Sequence, residues 1–146
     1  KNDNCFDREL SSGHITASCW LLNPSEDKVL LTLHKKFNQW LQLGGHADGD
    51  HDALNVALKE AREESGILDI EPISNSIFDV DIHYVDTGKE PAHYHYDIRF
   101  LLKAKNTEQY KVSDESIDLG WFSKEDATKF EDAYSMNKLF KKWLTL

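Results

Sequence analysis

Apolar residues recur at the spacing of an α-helix between Asp50 and Gly66. The recurring positions, which are i, i+3, i+4 and i+7, are Leu54, Ala57, Leu58 and Ala61. This spacing places them on one buried stripe of a helix. Asp50 or Asp52 can cap its N-terminus. Gly66 follows the last turn, where a left-handed residue is favoured.

Shorter apolar or alternating stretches predict strands on both sides of this helix. They cover residues 14–22, 29–33, 40–43, 67–73, 76–84, 92–104 and 117–122. The stretch at 67–73 contains Pro72 and is typical of an edge strand. A capping box at Ser123 and Asp126 predicts a helix to about Phe130, and residues 134–144 form a closing helix.

This order of elements predicts an α/β fold in which a mixed sheet lies between helices. We expect residues 1–146 to form a single domain. Residues 1–12 are polar and lack a clear period, which predicts a flexible N-terminal segment. Phe6 and Leu10 are spaced to dock a short helix within it.

The composition narrows the choice of partners. The chain has 146 residues and a formal charge of −9, which argues against binding to nucleic acid polymers or anionic membranes. No apolar run approaches the length of a membrane span, and we expect no signal peptide. Two cysteines, Cys5 and Cys19, are too few for a disulfide framework, which predicts reduced thiols and a cytoplasmic protein. A homodimer, and a segment upstream of Lys1, are left open.

Three glutamates share one face of the predicted helix, namely Glu60, Glu63 and Glu64. They repel one another, and they lie near the helix C-terminus, where the dipole disfavours negative charge. A bound divalent cation removes both penalties, and hard oxygen ligands suit Mg²⁺ or Mn²⁺. The alternative is a solvated acidic face softened by Lys59 and Arg62. The glycine pair Gly44-Gly45 before the helix, and Gly66 after it, favour the metal site.

This segment resembles the Nudix box, G-x5-E-x7-R-E-U-x-E-E-x-G-U, in which U is a bulky apolar residue. The matching positions are Gly45, Glu60, Ala61, Glu63, Glu64, Gly66 and Ile67. His51 replaces the first Glu of the motif, and Lys59 replaces its Arg. In the family that Glu and Arg pair to brace the loop, so the departures affect the loop rather than the metal-binding carboxylates. The resemblance covers residues 13–144, although only the box is a specific motif.

The resemblance implies an α/β/α sandwich with a mixed sheet and a catalytic loop-helix-loop. It implies a Nudix-type pyrophosphohydrolase that cleaves a diphosphate bond in a small phosphorylated substrate, a nucleoside diphosphate linked to another group. Glu60 and Glu64 would be the chief metal ligands, with Glu63 as a third ligand or a residue orienting water. The Gly44 carbonyl would be a fourth ligand. The Mg²⁺ or Mn²⁺ ion would neutralise phosphate charge and activate the attacking water.

Family members often add a carboxylate from a late loop. Asp114, Glu115 and Asp118 are the candidates, and we favour Glu115 as the further catalytic residue, with a solvated loop acid as the alternative. Arg99 is predicted to hold a phosphate; the alternative is pairing with Asp97 or Asp118.

The chain has seven histidines, and four of them fall at or near predicted strand ends, namely His14, His46, His93 and His95. We predict that His46 and His95 contact the substrate, or that the group forms a second metal or phosphate site. Isopentenyl diphosphate isomerase, a relative of the same fold, binds a metal through histidines near these places. It has a catalytic Cys where this chain has Gly44, which argues against an isomerase. A non-catalytic binding module is a third reading, and retention of all three glutamates argues against it.

Overall fold

The computed structural model describes residues 13–86, 88 and 92–146, so the predictions for Cys5, Phe6 and Leu10 lie outside it. Over the described residues the chain forms eight strands, two α-helices and a 3₁₀ helix. The strands are β1 (Gly13–Leu22), β2 (Lys28–His34), β3 (Gln39–Leu41), β4 (Leu43–His46), β5 (Ile70–Pro72), β6 (Asp79–Val85), β7 (His93–Ala104) and β8 (Ser116–Ser123). The helices are α1 (Ala53–Ser65), the 3₁₀ helix (Lys124–Phe130) and α2 (Tyr134–Leu144). None of the described helices is long and apolar enough to cross a membrane.

The strands form one mixed sheet organised around β1 and β7. These two strands pair in parallel over the whole of β1, from Gly13 opposite Tyr94 to Leu22 opposite Lys103. The other pairings are antiparallel and join β1 to β2 and β4, β2 to β3 and β8, and β7 to β5 and β6. The parallel pair therefore brings the first described strand beside a strand from the second half of the chain.

The two faces of the sheet are covered by different helices. On one face, Ala17 and Cys19 of β1 pack in a cluster with Val56, Ala57 and Ala61 of α1. On the other, Trp20 and Leu22 pack with residues of α2 and the 3₁₀ helix, namely Phe130, Met136, Leu139, Phe140 and Trp143. Successive side chains of a strand point to opposite faces, so β1 contributes to both clusters. This three-layer arrangement confirms the predicted α/β/α fold with a mixed sheet.

Both predicted caps of α1 are present. Asp52 is the N-cap, and its side chain accepts a hydrogen bond of 3.1 Å from the Asn55 N–H. Gly66 adopts φ 73°, a left-handed conformation that costs glycine little, and its N–H donates to the Arg62 carbonyl at 2.9 Å.

Asp50 joins the loop before α1 to the helix itself. One of its carboxylate oxygens accepts from the Asp52 N–H at 2.9 Å, and the other accepts from the Asn55 side chain at 3.0 Å. His51 and Lys59, which replace the bracing pair of the motif, are both exposed. A carboxylate beside the motif position thus supplies a loop-to-helix link.

Strand β6 has its apolar residues on the exposed side. Val80, Ile82 and Tyr84 are 49%, 59% and 60% exposed, whereas Asp79 and Asp81 between them are buried. The alternation of apolar and polar residues predicted the strand correctly. The two aspartates are the buried side of it because they pair with the Arg99 guanidinium.

Candidate active site

A cleft of about 330 Å³ opens where β1, β4 and β7 meet Glu60 of α1. The residues from the sequence-based site that line it are Gly44, Gly45, His46, Glu60, His95 and Glu115. The cleft therefore brings together the glycine pair, a box glutamate, two of the predicted histidines and the late-loop acid.

The glycine pair lies directly against the carboxylates of α1. A Cβ on Gly45 would lie 2.6 Å from the Cδ of Glu60 and within 2.9 Å of both its oxygens, so only glycine permits this approach. The N–H of Gly44 donates to Oε1 of Glu64 at 3.0 Å. Strand β4 thereby holds Glu60 at the cleft, whereas Glu64 lies buried behind the glycine pair and does not line the cleft.

The carboxylates of Glu60 and Glu64 are shielded from water. Burial raises the pKa of Glu64 to about 8; the hydrogen bond from Gly44 opposes this shift, and the charges of Glu60, Glu115 and Glu63 add to it. Burial likewise raises the pKa of Glu60 to about 7, with the charges of Glu63 and Glu115 as further causes. Both carboxyl groups therefore hold protons in part at neutral pH. A nearby cation would lower both pKa values and favour the ionised carboxylates.

The burial of Glu64 corrects one expectation. We expected all three glutamates to face away from the apolar stripe of α1, but Glu64 is only 5% exposed whereas Glu63 is exposed. Glu64 lies seven residues after Ala57, close to two full helical turns, and so follows the buried stripe. The hydrogen bond from Gly44 compensates for part of its burial.

Glu115 is the late-loop acid that reaches the site. Of the three candidate side chains, all of them exposed, Glu115 alone lines the cleft. Its charge raises the pKa of Glu60 and of Glu64. Asp118 instead accepts a hydrogen bond from the Leu119 N–H at 2.8 Å.

Arg99 has a structural position, which corrects its assignment as a phosphate contact. The side chain is 1% exposed, and its guanidinium lies 3.0 Å from Asp79, 3.4 Å from Asp81 and 2.9 Å from Asp97. It also donates to the Ser135 hydroxyl at 2.6 Å. Pairing with Asp97, the alternative interpretation, is what the structure shows, because a guanidinium occupied in this way has no side open to substrate.

Histidines converge at the cleft beside the carboxylates. His14 is 2% exposed, and its ring centroid lies 4.9 Å from that of His46 and 4.7 Å from that of His95. Burial, together with the charges of the neighbouring histidines, His46 first among them, lowers the pKa of His95 to about 3. His95 is therefore neutral at physiological pH.

Sequence reasoning missed two features of the cleft. Asp97 is 2% exposed and accepts hydrogen bonds from Thr16 at 2.9 Å and Ser18 at 2.7 Å. Phe37, taken as part of a polar loop, is 43% exposed at the cleft, with its ring 5.0 Å from that of His34. An apolar residue inside a polar loop was the available signal for Phe37, whereas Asp97 depends on the parallel register of β1 and β7.

Comparison with known proteins agrees with the fold. The family model for the NUDIX domain matches residues 13–144. Similar solved structures include a NUDIX-family hydrolase from Clostridium perfringens, with 22% identity, a TM-score of 0.71, and coverage of 89% of this chain and 95% of that one. An Ap4A hydrolase from C. elegans, in a binary complex, has 20% identity, a TM-score of 0.71, and coverage of 90% and 95%. A MutT protein from Methanosarcina mazei Go1 has 20% identity, a TM-score of 0.67, and coverage of 92% and 94%. No sequence among the curated proteins matches the chain.

The mixed sheet between helices, with the glycine pair of β4 facing a carboxylate-bearing helix, is the fold of the Nudix hydrolases that the chain matches. The match over residues 13–144 shows that the chain belongs to the Nudix family. The family and enzyme class predicted from the sequence, a Nudix-type pyrophosphohydrolase, are thereby confirmed.

Proposed function

We propose that the protein hydrolyses a diphosphate bond in a nucleoside diphosphate linked to another group, in a reaction that requires Mg²⁺ or Mn²⁺. The observation that carries this proposal is the convergence of Glu60 and Glu64 on the glycine pair of β4, beside a cleft that Gly44, Gly45 and Glu60 line. Several proteins of similar structure are named for substrates of this kind, including Ap4A and dihydroneopterin triphosphate. The shared chemistry is a phosphoanhydride attached to a nucleoside or a similar ring system.

The residues at the cleft fit a hard divalent cation. Their donor atoms are carboxylate oxygens, which Mg²⁺ and Mn²⁺ prefer. Glu60, Glu63 and Glu64 would hold the ion, with the Gly44 carbonyl as a further ligand. The ion would supply charge neutralisation at the phosphate and a water of lowered pKa. With a charge of −9, the chain needs such a cation to hold an anionic substrate.

The remaining groups of the cleft bind and orient. Gly44 donates to Glu64 and so fixes that carboxylate in place before substrate arrives. Glu115 is the candidate for accepting a proton from the attacking water, because it lines the cleft with Glu60 and remains exposed to solvent. The exposed ring of Phe37, tilted by 38° against that of His34, offers an aromatic face for the base of a nucleoside.

The two other readings of the sequence gain no support from the described side chains. An isomerase needs a catalytic thiol at the cleft, where this chain has Gly44. Cys19 is no substitute, because it is 1% exposed in the core and burial raises its pKa well above the ordinary range. A module that binds without a metal would have no use for the buried Glu64 and the half-buried Glu60, whose charges are costly without a cation.

The test is a panel of nucleoside diphosphate derivatives incubated with Mg²⁺ or Mn²⁺, with release of phosphate or a nucleoside monophosphate as the readout. We expect turnover of at least one member, which chelation abolishes and added metal restores. Turnover that survives exhaustive metal removal would contradict the proposal. Binding of a panel member without turnover would indicate a binding module, and conversion of isopentenyl to dimethylallyl diphosphate would indicate an isomerase.

A further inference from the structure

Five histidines lie in contact at one end of the cleft, and the proposed hydrolysis at the glutamates uses none of them as a ligand. They are His14, His46, His83, His93 and His95. Their ring centroids are separated by 4.7 to 5.4 Å in six pairs. The five imidazoles come from four strands, and two of them, His14 and His93, are buried.

The sheet register explains why these rings meet. His14 of β1 lies opposite His95 of β7, and His83 of β6 lies opposite His95 from the other side. His46 of β4 lies opposite Thr16, two residues along β1 from His14 and on the same face. The cluster is thus fixed by backbone pairing on either side of β1 and β7 rather than by flexible loops.

Three of the histidines have the spacing of a metal site. Ligand nitrogens of His14, His46 and His95 all lie within 4.8 Å of one another. Three nitrogens at about 2.1 Å from one tetrahedral ion lie roughly 3.4 Å apart, so small side-chain rotations bring these atoms to ligand distance. Asp97, two residues after His95, lines the same cleft.

We propose that His14, His46 and His95 bind a divalent transition-metal ion of the Zn²⁺ class, at a site distinct from the glutamates. Imidazole nitrogen favours Zn²⁺, Co²⁺ or Ni²⁺ over Mg²⁺, which prefers oxygen. Three protein ligands would leave a fourth position open. Two of the three, His46 and His95, line the cleft that Glu60 also lines. The proposal does not rest on hydrolysis, since the ion binds whether or not the enzyme turns over.

Two neighbouring groups orient the ligand rings. The Nε2 atoms of His93 and His95 are 3.0 Å apart, within hydrogen-bond distance. Asp81 lies 3.6 Å from Nδ1 of His83, whose ring in turn contacts that of His95. Histidine ligands commonly have such partners, which fix the tautomer and orientation of the ring.

The experiment is a titration of metal-free protein, without a polyhistidine tag, with Co²⁺, followed by visible absorption. We expect one Co²⁺ per chain, the absorption bands of a four-coordinate or five-coordinate ion with nitrogen ligands, and loss of those bands when Zn²⁺ displaces it. Metal analysis of the protein as purified is expected to show the same stoichiometry. Absence of these bands at saturating Co²⁺ would overturn the proposal.

The variants separate this site from the carboxylates. His46→Gln and His95→Gln are each expected to weaken Co²⁺ binding by at least tenfold, while the exposed His51→Gln and the glutamate variant Glu64→Gln leave it unchanged. Circular dichroism checks that each variant is folded, and the half-buried His46 is the safer substitution. If Glu64→Gln abolished the bands and His46→Gln did not, the ion would belong to the carboxylates. Metal-free protein that binds inorganic phosphate through these histidines, and gives no Co²⁺ bands, would make the cluster an anion site and also overturn the proposal.

Discussion

Replacing Glu64 by glutamine tests the site most directly. Glutamine keeps the shape of the side chain and an oxygen that can accept the hydrogen bond from Gly44, now 3.0 Å long. It removes the ionisable group whose pKa burial raises to about 8. The variant therefore separates the charge of Glu64 from its packing.

The effect on stability follows from proton linkage. In the unfolded chain Glu64 ionises near its ordinary pKa of 4.5, whereas in the metal-free folded protein it ionises near 8. Between these values the folded state holds a proton that the unfolded state has released, so the free energy of unfolding falls as pH rises. Over three pH units, from 5 to 8, this amounts to at most about 4 kcal/mol. Glu64→Gln removes this dependence, so its stability relative to the parent rises with pH.

The effect on catalysis has the opposite sign. A neutral amide is a poor substitute for a carboxylate ligand of Mg²⁺, and charge neutralisation at the phosphate is worth several kcal/mol. We expect turnover to fall by roughly two to five powers of ten. The hypothesis thus predicts a variant that is more stable than the parent at pH 8 without metal, and nearly inactive with it.

Urea unfolding of metal-free protein at pH 5 and pH 8 measures the first effect, and turnover of the best panel substrate measures the second. Glu63→Gln is the comparison for stability, because Glu63 is exposed on the same helix and its charge is the smallest of the three that raise the pKa of Glu64. Its replacement is expected to reduce the pH dependence far less than the replacement of Glu64 does. A stability difference for Glu64→Gln that is equal at both pH values would refute the electrostatic argument. Turnover within threefold of the parent would refute the metal site and favour the alternative, an acidic helix face without a catalytic role.

Two further substitutions test other parts of the structure. Gly45→Ala places a Cβ 2.6 Å from the Cδ of Glu60, so we expect roughly a 10²-fold loss of kcat in a folded protein. Gly120→Ala is the control, because its new Cβ would lie no closer than 3.5 Å to any neighbouring atom. A parental kcat for Gly45→Ala would count against the close approach. Arg99→Met leaves three buried aspartates without their central cation, so urea unfolding is expected to show a loss of about 3–5 kcal/mol. A stable Arg99→Met protein with only a raised KM would restore the phosphate-binding role that the structure argues against.

The parts predictable from sequence were those fixed by local spacing. The caps of α1, its glutamate order and its glycine partners depend on residues within about twenty positions, and the repeat of apolar positions was clear. The strands were predicted for the same reason, with ends that differ from the observed ones by up to three residues. The exception is the stretch at 40–43, which forms two strands, β3 and β4, and β4 continues through the glycine pair.

The parts that could not be predicted depend on pairing between distant strands. The position of Asp97 at the cleft depends on the pairing of β7 with β1. The contacts of Arg99 with Asp79 and Asp81 depend on the pairing of β6 with β7. Burial of Glu64 was also not predicted, because a charged residue on a helix is usually exposed to solvent. The hydrogen bond that offsets its burial comes from Gly44, twenty residues earlier. The shared cleft position of His46 and His95 required both kinds of information.

The parallel pairing of β1 with β7 has a consequence for how the protein folds. Thr16 and Asp97, joined by a hydrogen bond of 2.9 Å, are 81 residues apart in the chain. Closing so long a loop costs entropy before any contact repays it, and non-local strand pairing slows folding. Helix α1 and its caps draw on neighbours in sequence and can form early. The histidine cluster and the hydrogen bonds of Asp97 form only once β1 and β7 have paired. Metal binding at the histidines would therefore detect chains in which this pairing is complete.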